Sequence, residues 1–125
     1  MNAVTITHGT EGPRHDPYAY SEIHFTRRDG IRVTLHTGLC NWIQFGDARS
    51  DERMDYENAC TAFYYLTGYR AHECERFVRK ANEARYRAHR AHGGFEWSSG
   101  FPGEELCFCK CGQVIDSTFN IGAII

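Results

Sequence analysis

Ile23-His24-Phe25-Thr26-Arg27-Arg28-Asp29-Gly30-Ile31-Arg32-Val33-Thr34-Leu35 is the stretch that decides the architecture. Apolar residues alternate with polar ones on both sides of Asp29-Gly30, the pattern of two half-buried antiparallel strands. The pattern also selects the turn. A two-residue Asp29-Gly30 loop would set Thr26 opposite Val33 and His24 opposite Leu35, apolar against polar. A three-residue loop, Arg28-Asp29-Gly30, pairs Phe25 with Val33 and Ile23 with Leu35. All five apolar residues, Ile31 included, then share one face, and Gly30 takes the left-handed position of a bulge turn. The hairpin is expected in that register. Upstream, a short strand is expected over Val4–Thr7, then a polar segment with Gly9, Gly12, Pro13 and Pro17. Downstream, a third strand is expected over Asn41–Phe45, after Gly38.

Two helices follow. The first is expected from Asp51 to Thr67, capped by Ser50, with Asp51, Glu52 and Asp55 at the positive end of its dipole and Gly68 as its stop. Its inward face is Tyr56, Ala59, Cys60, Phe63 and Leu66. The second is expected from Ala71 to Ala91 and ends at Gly93-Gly94. At roughly 100° per residue, Cys74, Phe77, Val78, Ala81, Ala84 and Ala88 gather on one face and Arg76, Arg79, Lys80, Arg87 and Arg90 on the other. Arg85 falls amid the apolar face, so it must snorkel or meet a buried carboxylate. Beyond a Gly/Ser/Pro loop, Glu105–Cys109 and Gln113–Phe119 read as a second hairpin around Lys110-Cys111-Gly112. The apolar end, Ile121 to Ile125, is expected to dock. The chain therefore reads as α+β in one domain, 1–125: an N-terminal antiparallel β-meander, two packed helices and a C-terminal Cys-rich β-hairpin.

Composition bounds the function. In 125 residues, 42% are apolar and 14% aromatic, enough for a core. The net charge of −2 gives no global attraction to nucleic acid or anionic lipid. Twelve arginines against two lysines read as GC-rich coding, as in an actinobacterium or its phage. No basic start precedes a long apolar run, and nothing approaches the ~18 apolar residues of a membrane span, so a cytoplasmic protein with reduced thiols is expected.

The chemistry concentrates in Cys107, Cys109 and Cys111. Alternate positions on a strand share a side, and Gly112 suggests a turn that folds Cys111 back toward Cys109. Thiolates so placed suit zinc, which takes four protein ligands in a structural site. His89 and His92, three apart on the last helical turn, can meet one metal and stand shortly before the cysteines. Cys74 lies 18 residues from His92, about 27 Å along the axis, so both ends of the helix cannot serve one ion. Cys74, Cys40 and the histidines are thus competing sources of a fourth ligand. The alternative for any of these cysteines is burial as a small hydrophobe, expected for Cys60 and Cys74. Locally, Cys109-Lys110-Cys111-Gly112 resembles the Cys-Gly turn of zinc knuckles, with one intervening residue in place of the usual two. The resemblance covers only these residues.

Catalytic signatures are missing: no HExxH, no GxSxG, no phosphate-binding loop. Cys40 with His36 or His24 is the one thiol–imidazole pairing the sequence suggests. The expected function is therefore a non-catalytic accessory or binding protein, zinc-stabilised, docking on another protein. Phe95, Trp97 and Phe101, in what reads as an adaptable loop, are its candidate anchors. One alternative is a nucleic-acid-binding module using the basic face of helix 71–91, where six cations against Glu83 give residues 76–92 a charge of +5. The other is a small zinc-dependent hydrolase with an open metal position.

Overall fold

The computed structural model describes residues 4–12, 14, 17–38, 40–50, 54, 56–99 and 105–117. The chain runs β1 (Thr5–Glu11), β2 (Tyr18–Thr26), β3 (Arg32–Gly38), β4 (Trp42–Phe45), β5 (Ala48–Arg49), α1 (Tyr56–Thr67) and α2 (Ala71–His89). A 3-10 turn over Arg90–His92 follows, then β6 (Phe95–Ser99), β7 (Glu105–Cys109) and β8 (Val114–Ser117). The class is α+β. The path β5-β4-β3-β2-β8-β7-β6 joins two antiparallel ladders, with β1 added on β2. The ladders meet through one parallel bridge, Tyr18 to Val114.

The hairpin takes the register that buries its apolar residues, with Ile23 opposite Leu35 and Phe25 opposite Val33. The Arg27 N–H donates to the Ile31 carbonyl and the Gly30 N–H to the Arg27 carbonyl, both at 2.9 Å. Gly30 has φ +84°, the left-handed conformation that a side chain resists. The first strand is longer than expected and runs past Gly9 to Glu11. Gly9 stands opposite Tyr20, and a Cβ there would lie 2.8 Å from the Tyr20 hydroxyl oxygen, so the tyrosine ring covers the glycine and the ladder continues through it.

Helix α1 begins at Tyr56, later than expected. Ser50 does not cap it: its hydroxyl accepts from the Ile43 N–H at 2.9 Å and its own N–H donates to the Ile43 carbonyl, so it closes the β4–β5 turn. Asp51, Glu52 and Asp55 lie outside the described residues, as do Phe101 and Ile121–Ile125. Gly68, at φ +82°, ends the helix as expected, its N–H on the Tyr64 carbonyl. In α2 the Glu73 carboxylate reaches back to the Arg70 N–H at 3.1 Å, half of a capping box.

Residues 95–99 form strand β6, where a loop was expected. Phe95 and Trp97 alternate with Glu96 and Ser98, a period-two signal masked by the flanking glycines. β6 pairs with β7 from Phe95–Cys109 to Ser99–Glu105.

Two apolar clusters result. The larger joins Ile23, Phe25, Val33, Leu35 and Ile43 of the sheet to Ala59, Phe63, Cys74, Val78 and Ala81 of the helices. Among the described residues the smaller holds Ala19, Cys107, Cys109 and Ile115, with Tyr86 and Phe95 packed on it. A polar layer separates them. Arg85 is fully buried; its Nε donates to the Ile115 carbonyl at 2.6 Å, its Nη1 to the Ser21 hydroxyl at 3.2 Å, and its Nη2 lies 3.6 Å from the equally buried Asp116 carboxylate. A register shift in β7–β8 leaves Ile115 without a ladder partner, freeing its carbonyl for Arg85. The arginine on the apolar face thus meets a carboxylate, one of the two outcomes its position required.

Candidate metal centre

Four side chains converge where α2 ends against the second hairpin. His89 is the last residue of α2 and His92 closes the 3-10 turn, so the three-residue spacing survives the change of helix type. Cys109 ends β7, and the Gly112 N–H returns to the Cys109 carbonyl at 2.9 Å, which closes the turn and brings Cys111 back. One ligand atom from each of His89, His92, Cys109 and Cys111 lies within 4.8 Å of the others.

Two of the ligand–ligand distances are close to the edges of a zinc tetrahedron. Zinc–sulfur bonds of about 2.3 Å and zinc–nitrogen bonds of about 2.0–2.1 Å imply sulfur–nitrogen edges of roughly 3.6 Å. Cys109 Sγ stands 3.5 Å from His92 Nδ1, and Cys111 Sγ 3.4 Å from His89 Nδ1. The Cys111 N–H points at Cys109 Sγ from 3.5 Å.

The electrostatics favour ligation once a cation is supplied. Burial pushes the Cys109 thiol pKa up, while the N–H groups of Cys111 and Lys110 pull it down. A buried thiol of this kind needs a positive charge to become a thiolate. His89 is held below the ordinary histidine range by burial, with His92, His8 and Arg85 adding repulsion. Its imidazole is neutral at pH 7, the form that binds metals. His89 and Cys109 are buried, whereas His92 and Cys111 are exposed.

Cys107, expected among the ligands, is not in the cluster. It lies beside Tyr86, whose hydroxyl donates to Asp116 at 2.8 Å. Strand and helix explain the division. Two strand residues advance about 6.6 Å, and four helical residues about 6 Å. β7 therefore keeps step with α2: Cys107 stands opposite Arg85–Tyr86 and Cys109 one turn on, opposite His89. Cys74 lies in the larger core, its thiol pushed up to about 12, mainly by burial. Cys40 is half-buried beyond β3 and is not a member of the cluster.

The thiol–imidazole pairing does not form. His36 is fully buried, stacked between Tyr20 (4.9 Å) and Trp42 (4.5 Å). Its Nδ1 bonds Glu22 at 2.9 Å, and Glu11 lies 2.9 Å from Nε2, off the ring N–H direction. Arg49 caps the outer face of Trp42 at 4.1 Å. His24 is held by Thr7 and Thr34, at 3.0 Å each. Sequence reasoning missed this carboxylate-flanked stack. Its signal was alternation on the second face of the hairpin: Glu22 is opposite His36, and His36 opposite Trp42.

The basic residues Arg76, Arg79, Lys80 and Arg87 are exposed on α2, and Arg90 is exposed on the 3-10 turn that continues it. Trp97 is 40% exposed, and Phe95 packs edge-on against Tyr86, ring centres 5.2 Å apart. Among the described residues no helix is long and apolar enough to cross a membrane. The chain matches no protein-family model, no curated protein and no solved structure. The reading of the site therefore rests on its geometry.

Proposed function

We propose that this chain is a zinc-fastened, non-catalytic binding domain. The carrying observation is the His89–His92–Cys109–Cys111 cluster, whose sulfur–nitrogen distances of 3.4 and 3.5 Å match tetrahedral zinc before any ion is added. Two sulfurs and two imidazole nitrogens are a borderline-soft donor set, which selects zinc over calcium or magnesium. Four protein ligands complete the coordination, and a hydrolase would need one position open for water. That arrangement favours fastening over catalysis. A thiolate site of this kind calls for a reducing compartment such as the cytoplasm.

The test is metal stoichiometry on protein purified without chelator, followed by cobalt substitution. One zinc per chain is expected, exchangeable for cobalt with sulfur-to-cobalt charge transfer of two-thiolate intensity. Cys109→Ser and His89→Ala should lose the metal, and Cys107→Ala should keep it. Metal that survives in Cys109→Ser, or leaves in Cys107→Ala, refutes the assignment.

A further inference from the structure

The outer face of α2 carries Arg76, Arg79, Lys80, Arg87 and Arg90, and among the described residues none of them has a carboxylate within ion-pair distance. The stripe extends from Arg76 to Arg90, about 21 Å at 1.5 Å per residue. Only Glu83 interrupts it. The whole chain carries −2, so this positive charge is segregated onto one surface.

An exposed aromatic, Trp97, sits on the strand whose Phe95 packs against α2. Trp97 pairs with Cys107 and Phe95 with Cys109, so on β6 these rings emerge on the same face of the sheet as the two cysteines, the face α2 covers. Phe95 lies against Tyr86, which places this flank of β6 along the Tyr86 side of α2. On the helical wheel Tyr86 is adjacent to Arg79 and Arg90. Trp97, two residues further along the same face of β6, keeps its indole 40% exposed. An apolar protein-docking patch would need a cluster of anchors. Here Phe95 is spent on Tyr86, and Trp97 is the remaining described candidate anchor.

We propose that the α2 stripe and Trp97 form one surface for single-stranded nucleic acid, the cations tracking phosphates and the indole stacking a base. This gives a partner to the binding domain argued above and rests on that reading. The positive line matches a polymeric anion, and a lone ring beside it matches an unstacked base.

The experiment titrates zinc-loaded protein with a labelled 20-nucleotide oligouridylate, following anisotropy and tryptophan quenching, with metal content measured on every sample. Four or five phosphate contacts at ~0.7 each imply a log–log salt slope of roughly −3, or ~60-fold weaker binding at 200 mM than at 50 mM salt. Arg79→Glu/Arg87→Glu should weaken binding at least ~10-fold and flatten that slope. Arg28→Glu/Arg32→Glu, an equal charge change on the exposed hairpin end, should weaken it less than ~2-fold, being outside the contact surface. Trp97→Ala should weaken it ~10-fold with the slope unchanged and the quenching lost. Absence of binding at 50 mM salt by protein that retains its zinc overturns the proposal and leaves the metal site standing. Equal loss in the two reversal pairs overturns it as well. Polyglutamate binding as tightly as the oligonucleotide would replace it with an acidic protein partner. Loss of metal without loss of binding would instead sink the zinc reading.

Discussion

The two apolar clusters teach different lessons about how a small chain holds itself together. The larger is built from aliphatic and aromatic side chains on five elements and includes fully buried Ile23, Val33, Leu35, Phe63 and Val78. At ~1.5–3 kcal/mol for each large side chain buried, that cluster needs no further help. Among the described residues the smaller has Ile115 as its only large aliphatic member, and two of its four residues are cysteines. Among the described residues its three strands join the main sheet's ladder at a single bridge, beside side-chain packing on Ala19 of β2. Arg85 on the Ile115 carbonyl and Tyr86 on Asp116 tie β8 to α2, and the proposed cation would fasten the β7–β8 turn to the end of the helix. The same comparison separates two histidine environments. His36 is closed between rings and flanked by carboxylates, with Nδ1 on Glu22, whereas the ring nitrogens of His89 and His92 face sulfurs, a donor set that suits a metal.

The sharpest ways to break this contrast act on the larger core and on the polar layer between the two. Phe63→Ala should cost ~3–5 kcal/mol in urea unfolding, the range for a buried phenylalanine, with zinc content unchanged. Asp116→Ala should cost a similar ~3–5 kcal/mol, because it leaves the Arg85 guanidinium buried with no counter-charge. Replacing both, Arg85→Met with Asp116→Leu, should return most of that loss, since an apolar pair of similar volume removes the desolvation penalty. Equal destabilisation in single and double variants would show that the pair does not act as a unit.

A smaller effect follows from protonation. Burial lowers the His89 pKa in the folded chain, so the unfolded chain binds this proton more readily. Stability must then fall as pH drops below the ordinary histidine value near 6.5. Zinc affinity should fall in the same direction, because protons compete for His89, His92 and both thiolates. Chelator competition between pH 8 and pH 5.5 measures it. An affinity that does not change over that range would exclude these ligands.

Much of the scaffold was legible because its signals are local. The alternation around Asp29-Gly30 allowed only one register that buries Ile23, Phe25, Val33 and Leu35 together. The 3.6-residue period of α2 and the cysteine-bearing turn were equally plain. The donor set was legible as a neighbourhood but not in its membership. Cys107 and Cys109 share a strand face, and only the step of β7 along α2 decides that one meets Tyr86 and the other His89. Asp116 was invisible for a similar reason: the register shift at Ile115 that turns it toward Arg85 leaves no mark in the sequence. The Ser50 cap expected for α1 failed because Ser50 satisfies Ile43, across a turn that composition does not announce.

The central claim is that a metal at His89, His92, Cys109 and Cys111 holds the second hairpin to the helix. Amide hydrogen exchange with and without chelator tests it most directly. The account predicts that zinc removal strips protection from β6, β7 and β8 by at least ~100-fold while β2 and β3 keep theirs, since local opening follows local contacts. Unchanged protection in β6–β8 after the metal has left would contradict it.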